Sequence, residues 1–162
     1  MIYKNFEIKK INLNISKKIL LYGKNEELKN EAIQQITQGK KNILNYEEKE
    51  ITDNSKLFIE NLLSKSLFET EKIIIVKRVT DKILNIIDEI KDLVLDDIII
   101  ILNSEILEKK SKLRSYFEKD KKNICIAFYP DDNQILSKLA INFFKDKDFK
   151  LSQENINFLV NK

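Results

Sequence analysis

The run Ile98-Ile99-Ile100-Ile101-Leu102 decides the fold, because it places five apolar residues in succession directly after Asp97. A strand that is apolar on both faces belongs in the middle of a parallel sheet whose faces are both covered by helices. Four other apolar runs have the length and boundaries of further strands, and they are residues 19–22, 42–46, 73–77 and 123–129. Helical patterns separate the runs. The order βαβαβαβαβ therefore predicts an α/β fold with an open, parallel, five-stranded sheet flanked by helices.

Residues that favour helix starts precede each helical pattern. They are Asn25, Thr52 or Asp53, Thr80 or Asp81, and Ser111. The helix after Thr52 or Asp53 is expected to turn four residues toward the core, namely Leu57, Ile59, Leu62 and Leu63. Such helices cover the faces of the sheet.

The alternation of strands and helices ends at Pro130-Asp131-Asp132. Only helical patterns follow, and the last one, after Ser152, reaches Lys162 without a C-terminal cap. We therefore predict an α/β domain at residues 1–130 and an incomplete helical domain at residues 131–162. Because two short helices enclose little core, the chain is expected to be a fragment of a longer protein.

The composition excludes several classes of function. The 162 residues include no histidine and one cysteine, which rules out Ser-His-Asp and Cys-His nucleophile systems and makes a zinc site untenable. Cys125 lies in an apolar run and is expected to be a buried, inert thiol. The sequence shows neither an apolar run of about 18 residues nor a signal-peptide core, so we expect a cytoplasmic protein without a membrane segment.

The turn after the first predicted strand is where a P-loop would hold phosphate. The pattern G-x-x-x-x-G-K-[ST] uses glycines for close approach of backbone N–H groups, lysine for the phosphates and a hydroxyl for Mg²⁺. Here Gly23-Lys24-Asn25-Glu26-Glu27-Leu28-Lys29-Asn30 keeps the first glycine and the lysine, but Leu28 and Asn30 occupy the other two positions. Glu26 and Glu27 add negative charge to the place where phosphate would lie.

We interpret this turn as a degenerate, non-functional P-loop whose remnants are Gly23, Lys24 and Lys29. Lys29 is expected to be a solvated lysine on the surface of a helix. The central run is followed by Asn103 and Ser104 instead of the acidic pair that would position Mg²⁺ and water. We expect no ATP hydrolysis, no catalytic residue, no cofactor and no metal.

The connection before the strand at residues 73–77 carries Ser66-Leu67-Phe68. Connections are normally polar because they run over the surface. From the residues alone, two interpretations stay open. The Leu67 and Phe68 side chains either fold back onto the core or protrude as a plug that binds a partner.

Basic residues are concentrated between positions 109 and 122. They are Lys109, Lys110, Lys112, Arg114, Lys119, Lys121 and Lys122. The first four are candidates for facing DNA, although the chain's net charge of +3 is too small to indicate nucleic-acid binding by itself. Tyr116 and Phe117 follow core spacing and make poor stacking platforms for bases. A solvated helix face in a lysine-rich protein is the alternative interpretation.

Four stretches, in order and spacing, make the chain resemble the delta subunit of the bacterial DNA polymerase III clamp loader. They are residues 19–26 with the degenerate P-loop, Ser66-Leu67-Phe68 with the strand after it, residues 98–113, and Pro130-Asp131-Asp132 with Leu151-Ser152. The resemblance implies an AAA+-like first domain and a small helical lid. Members of that family are considerably longer, and the domain that forms their oligomeric collar has no counterpart in this sequence.

The resemblance also implies a function. In that family a Leu-Phe pair enters a hydrophobic pocket on the ring-shaped sliding clamp, and the matching residues here are Leu67 and Phe68, preceded by Ser66. The implied role is a non-catalytic clamp-loader subunit of the DNA polymerase III holoenzyme. Its implied partners are the sliding clamp (beta subunit), the other clamp-loader subunits and, through the assembly, DNA. Two alternatives stay open, a P-loop-like NTPase with atypical motifs and a DNA-binding α/β domain.

Overall fold

A computed structural model describes residues 2–4, 8, 11, 13, 16–64, 71–91, 93, 97–129, 133–145, 147, 149 and 151–160. The chain divides into two compact units, Met1–Phe128 and Tyr129–Lys162. Among the described residues, no helix is long and apolar enough to cross a membrane.

The first unit is built on a parallel sheet. Its strands are β1 (Ile2–Lys4), β2 (Lys18–Gly23), β3 (Ile43–Glu47), β4 (Lys72–Lys77), β5 (Ile98–Ser104) and β6 (Ile124–Phe128). They lie side by side in the order β1-β6-β2-β5-β4-β3, and every pair is parallel. All seven residues of β5 are buried between β2 and β4. The α/β fold predicted from the isoleucine run is confirmed.

The sheet has six strands instead of the predicted five, because β1 was missed. This strand has three residues and pairs with one edge of β6, so that Ile2 lies opposite Cys125 and Lys4 opposite Ala127. Ile2 is 65% exposed. A short, exposed edge strand is held mainly by its backbone hydrogen bonds, and it needs no apolar run that a sequence pattern could reveal.

Seven helices lie in the described parts of the chain. They are α1 (Glu26–Thr37), α2 (Glu48–Asp53), α3 (Ser55–Leu63), α4 (Leu84–Glu89), α5 (Lys112–Lys119), α6 (Asn133–Lys145) and α7 (Gln153–Val160). A 3-10 turn, Asp81–Ile83, precedes α4. In the second unit α6 and α7 pack against each other and bury Ile156.

The helices of the first unit bury both faces of the sheet. On one face, α1 packs Ala32 and Ile36 against Ile99 and Ile101 of β5. On the other, α2 to α5 cover the alternate residues Ile98, Ile100 and Leu102. Because side chains of a strand alternate between faces, the uninterrupted run supplies both cores. Burial of each isoleucine or leucine contributes about 1.5–3 kcal/mol.

One predicted helix start is wrong. Neither Thr52 nor Asp53 begins a helix. The helix α2 already starts at Glu48, and Asn54 separates its end from the start of α3. The Glu50 carboxylate accepts a hydrogen bond from the Glu47 N–H at 2.7 Å and stabilises the earlier start. Within α3, Leu57 and Leu63 are 50% and 46% exposed, whereas Phe58 and Leu62 are buried. The prediction that Leu57 and Leu63 face the core is therefore wrong.

The remaining predicted caps are confirmed. The Asn25 side chain accepts from Leu28 N at 3.1 Å, Thr80 from Lys82 N at 3.3 Å and Ser111 from Arg114 N at 3.2 Å. Cys125 is buried as expected, and burial raises the pKa of its thiol to about 12. This thiol therefore stays protonated and unreactive at neutral pH.

Candidate functional site

Ser66, Leu67 and Phe68 lie outside the described residues, and the structure defines only what flanks them. The last turn of α3 is tied to β4 by Lys72, whose ammonium donates to the carbonyls of Asn61 and Ser64 at 2.9 and 2.8 Å. A lysine at this position satisfies carbonyls that a helix end leaves without partners. Glu71 forms an ion pair with Lys40. Both flanks of segment 65–70 are therefore anchored to the sheet domain.

Parallel sheets bind ligands where neighbouring strands send their connections to opposite faces. Here those strands are β2, followed by α1 on one face, and β5, followed by α5 on the other. The carboxyl ends of these two strands form what we call the β2–β5 crevice. It consists of Gly23 at the end of β2 with Lys24 and Asn25 after it, and of Ser104 at the end of β5 with Glu105 after it. The degenerate P-loop lies in this crevice.

The backbone donors of the turn already have partners inside the protein. Gly23 N donates to the carbonyl of Glu105 at 2.8 Å, and Asn25 N approaches that of Phe128 at 3.4 Å. Gly23 has a φ of +134°, and a Cβ there would lie 2.0 Å from the Phe128 oxygen. The glycine thus allows the close approach of β6. In a functional P-loop such N–H groups would face phosphate.

Lys29 is fully buried, and the prediction of a solvated lysine is wrong. Its Nζ donates to the Ser104 carbonyl and to the Glu26 carboxylate, both at 2.6 Å. A buried ammonium is tolerated only when it is paired in this way. The sequence could have predicted the pairing of Lys29 with Glu26, because the two residues are three positions apart on the same helix. It could not have predicted the contact with Ser104, which lies 75 positions away.

The end of β5 is closed by further hydrogen bonds. The Ser104 hydroxyl donates to the Val79 carbonyl at 2.7 Å, and Val79 N donates to the Asn103 carbonyl at 3.1 Å. Lys24 is exposed. The structure therefore does not bring Gly23, Lys24 and Lys29 together as a phosphate cradle, because Gly23 N and the Lys29 ammonium donate to the chain's own carbonyls and Lys24 is exposed.

Nearby, Asp81 connects the 3-10 turn before α4 to the first turn of α5 by hydrogen bonds. Its carboxylate accepts hydrogen bonds from the Ser111 hydroxyl at 2.6 Å and from Lys112 N and Leu113 N at 3.0 Å. Burial acts to raise the pKa of Asp81, but these hydrogen bonds outweigh it and lower the pKa below 3.8. The sequence predicts Asp81 only as a cap of its own helix, because a partner 30 residues away leaves no local pattern.

The predicted DNA-facing residues separate into two groups. Lys109, Lys110 and Lys112 are exposed beside a groove of about 450 Å³ between α4 and α5. Arg114 is held inward, and its side chain is 15% exposed. Its Nε donates to Glu118 at 2.8 Å and its guanidinium lies 5.1 Å from the centre of the Tyr22 ring. Arg114 is therefore less accessible than these lysines, because its guanidinium is used inside the protein, and its contact with DNA stays a prediction.

We define the α4–α5 groove by its lining residues. They are Leu84 and Asp88 of α4, residues 109–112, and Ser115, Tyr116 and Lys119 of α5. A second cavity of about 640 Å³ lies between the connections that follow β4 and β5. Its charges are largely paired, as in Arg78 with Glu47 at 2.7 Å and Lys110 with Glu108 at 2.9 Å. In the described part of the chain, no group of three or more His, Cys, Asp or Glu side chains could hold a metal ion.

Comparison with known proteins finds solved structures of similar fold. A scan against protein-family models finds no match, and a search of curated proteins finds none either. Among solved structures, the DNA clamp loader delta protein of Bacillus subtilis matches with a TM-score of 0.67 and 17% identity over 96% of this chain. The two chains share a fold over this range. The chain spans 50% of that delta protein, about half its length.

Two further structures are more distant. RIF2 of Saccharomyces cerevisiae matches with a TM-score of 0.50 and 13% identity, over 97% of this chain and 67% of that one. AMPPCP-bound DnaA from Aquifex aeolicus matches with a TM-score of 0.48 and 16% identity, over 96% of this chain and 53% of that one.

Proposed function

We propose that this chain is a non-catalytic clamp-loader subunit that binds the ring-shaped sliding clamp during DNA replication and helps to open it. The observation that carries the proposal is the match to a clamp loader delta protein over 96% of the chain. In this role the chain acts within the DNA polymerase III holoenzyme, with the other clamp-loader subunits as partners. Residues 1–130 form the AAA+-like domain and residues 131–162 the beginning of its helical lid.

The chemistry of the β2–β5 crevice supports a subunit without a reaction of its own. Phosphoryl transfer needs donors that face the phosphates and a site for Mg²⁺. Gly23 N and the Lys29 ammonium instead donate to carbonyls of the same chain. Asn103 and Ser104 stand in place of an acidic pair at the end of β5, and Glu105 follows them as a single carboxylate. The architecture is retained while the groups for the reaction are missing or occupied.

Leu67 and Phe68 are proposed as the anchor for the clamp. Burial of two such side chains contributes about 3–6 kcal/mol, which suits the centre of a small interface. The anchoring of α3 by Lys72 and of Glu71 by Lys40 supports this role, because a plug on fixed flanks loses less conformational entropy on binding. Ser66 precedes the pair and belongs to the same proposed contact.

The test is binding of this chain to the sliding clamp, with the Leu67→Ala/Phe68→Ala variant beside the wild type. We expect the variant to lose at least about a hundredfold in affinity, since the lost burial is about 3–6 kcal/mol. The matched control is Leu57→Ala/Phe149→Ala, which removes a leucine and a phenylalanine that are 50% and 68% exposed elsewhere. The control should bind as the wild type does.

Thermal melts of all three proteins separate a plug from a core pair. Loss of binding with an unchanged melting temperature supports the proposal. A large fall in the melting temperature of Leu67→Ala/Phe68→Ala would mean that the pair packs in the core. Absence of clamp binding by a folded wild type would contradict the proposed function.

A further inference from the structure

We propose that the outer edge of β3 pairs with the same edge of a second copy of this chain, so that the two sheets join across a twofold axis. β3 stands at one end of the strand order and, among the described residues, pairs with β4 alone. It has five residues, whereas β1 at the opposite edge has three. An edge strand presents N–H and C=O groups that can hydrogen-bond with another strand. β3 is therefore the longer of the two edges that another chain could extend.

The pairing of β3 with β4 determines which backbone groups of β3 face outward. Ile73 N donates to the Asn42 carbonyl at 2.8 Å, and Ile43 lies opposite Ile73. In a parallel ladder, every second residue of a strand bonds to the same neighbouring strand. Asn42 and every second residue after it therefore face β4, so the N–H and C=O groups of Ile43 and Asn45 face outward. Within the described part of the chain, no other group hydrogen-bonds to them.

Two devices that commonly block an edge strand, a proline and a bulge, are absent from β3. Residues 40–50 contain no proline, and the pairing with β4 continues over all five residues of the strand. The Asn45 side chain is exposed. The strand is nevertheless fixed in place, since Ile43 packs against the core on the α1 face and the Tyr46 ring lies 5.3 Å from that of Phe58. A rigid, open edge loses little conformational entropy when it pairs.

The charges at the two ends of β3 identify the partner as a second copy. Lys40 and Lys41 precede the strand, whereas residues 47–50 hold three glutamates and one lysine, a net charge of −2. Such a strand complements itself when the two copies run antiparallel, because each basic end then lies opposite an acidic end. A twofold axis produces this arrangement. Lys41 is exposed and forms no ion pair with another described residue, so its ammonium is available to a carboxylate of the partner.

One antiparallel register satisfies the outward backbone groups. It pairs Ile43 with Asn45 of the second copy, and the twofold axis repeats the pair. Because the two residues of such a pair exchange both of their N–H···O bonds, about four backbone hydrogen bonds form.

The side chains fit the same register. It places Lys41 opposite Glu47 of the second copy at both ends of the contact. The Glu47 carboxylate also pairs with Arg78 of its own chain at 2.7 Å, and a carboxylate accepts more than one donor. Leu44 lies opposite Leu44 of the second copy, where two half-buried leucine side chains cover each other.

The inference does not rest on clamp binding, since β3 contains none of residues 65–70. Its test is sedimentation velocity of the whole chain from about 10 to 500 µM, because a small edge contact is expected to be weak. The mass should rise from 19.2 kDa toward twice that value. Amide hydrogen exchange of Ile43 and Asn45 should slow with concentration, whereas that of Leu44, which already faces β4, should not change.

The decisive variant is Asn45→Pro, which removes an outward N–H and leaves the bonds to β4 in place. Proline is tolerated on an edge strand where the N–H faces solvent. We expect the dissociation constant of the dimer to rise at least about tenfold, because the Asn45 N–H of each copy donates across the axis. The matched control is Asn45→Thr, which keeps the N–H and should change the constant less than about twofold. Thermal melts show whether both variants are folded.

Lys41→Glu tests the charges without changing the strand. It places two carboxylates opposite each other at each end of the contact, and the dissociation constant should rise about fivefold at low salt and much less at high salt. The control Lys56→Glu makes the same change of charge on α3, and it should have less than about a twofold effect.

Three results would overturn the inference. A wild type that stays monomeric at every concentration would show that the edge does not pair with itself. A dimer in which the Ile43 and Asn45 amides exchange as fast as in the monomer would place the contact elsewhere. A folded Asn45→Pro that dimerises as the wild type does would exclude the proposed backbone bonds. Because the exchange pattern is measured on the wild type, the test does not depend on the folding of any variant.

Discussion

The β2–β5 crevice and the α4–α5 groove both contain lysines, but they place the ammonium groups in opposite environments. In the crevice, Lys29 is fully buried and donates to Ser104 and Glu26 at 2.6 Å. In the groove, Lys112 and Lys119 are exposed and have no carboxylate partner among the described residues. A lysine in the register of a phosphate-binding motif is thus informative only when its partners are known. The buried ammonium of Lys29 stabilises the fold, whereas the ammonium groups of Lys112 and Lys119 are exposed to solvent.

The largest effect is expected where the crevice is closed by close packing. Gly23→Ala would bring a Cβ to 2.0 Å from the Phe128 oxygen at a φ of +134°. Overpacking and backbone strain together should lower the free energy of unfolding by about 3–5 kcal/mol. Urea denaturation measures the change.

Gly39→Ala is the matched control, because Gly39 also has a positive φ, +77°, but no heavy atom lies within 4 Å of the added Cβ. The control should lose only about 1–2 kcal/mol from backbone strain. Equal losses in the free energy of unfolding for Gly23→Ala and Gly39→Ala would contradict the close approach of β6 to Gly23.

Replacing the buried lysine should give the next largest effect. Lys29→Met keeps much of the volume but leaves the Ser104 carbonyl without its donor, so the free energy of unfolding should fall by about 1–3 kcal/mol. Lys24→Met, at an exposed neighbour, should change it by less than about 0.5 kcal/mol. If Lys29→Met is as stable as Lys24→Met, the hydrogen bonds of the buried Lys29 do not stabilise the fold.

A smaller effect is expected at the start of α5. Asp81→Asn weakens the acceptor for Ser111, Lys112 and Leu113, and loss of such a cap costs about 1 kcal/mol. The pKa of Asp81 is lowered in the folded protein, so its stabilisation is present above the unfolded pKa and is lost as pH falls through the folded pKa.

Chemical denaturation from neutral pH down to about pH 3 tests this sign. The difference between wild type and Asp81→Asn should be constant near neutrality and should shrink below about pH 4. A difference that grew on acidification would mean that the carboxylate is not stabilised in its charged form.

The smallest effect on stability is expected in the groove itself. Lys112→Gln/Lys119→Gln removes two exposed charges, and the free energy of unfolding should change by less than about 0.5 kcal/mol. This result sharpens the contrast with Lys29. A loss as large as that of Lys29→Met would mean that the groove lysines also hold the fold together.

Local patterns predicted most of the architecture. The five-residue apolar run located the centre of the sheet, and Asn25 and Ser111 were identified as caps because capping depends on neighbours three residues away. β1 was missed because a three-residue edge strand with an exposed Ile2 leaves no periodic signal. The α2–α3 break at Asn54 was also missed, and with it the exposure of Leu57.

The candidate sites were harder to predict, since they depend on contacts between distant parts of the chain. Lys29 meets Ser104 across 75 positions, and Asp81 meets Leu113 across 32. The position of the Arg114 guanidinium over the Tyr22 ring depends on the packing of α5 against the sheet and has no signature in the basic stretch. The role of Leu67 and Phe68 stays a prediction, because both residues lie outside the described part of the chain.

The most direct test of the account is a titration of this chain against the sliding clamp with and without ATP. Binding of the same affinity is expected in both cases, because the proposed clamp contact is made by Ser66, Leu67 and Phe68, while Gly23 N and the Lys29 ammonium in the β2–β5 crevice donate to the chain's own carbonyls. Absence of binding, or binding that appears only with ATP, would contradict it.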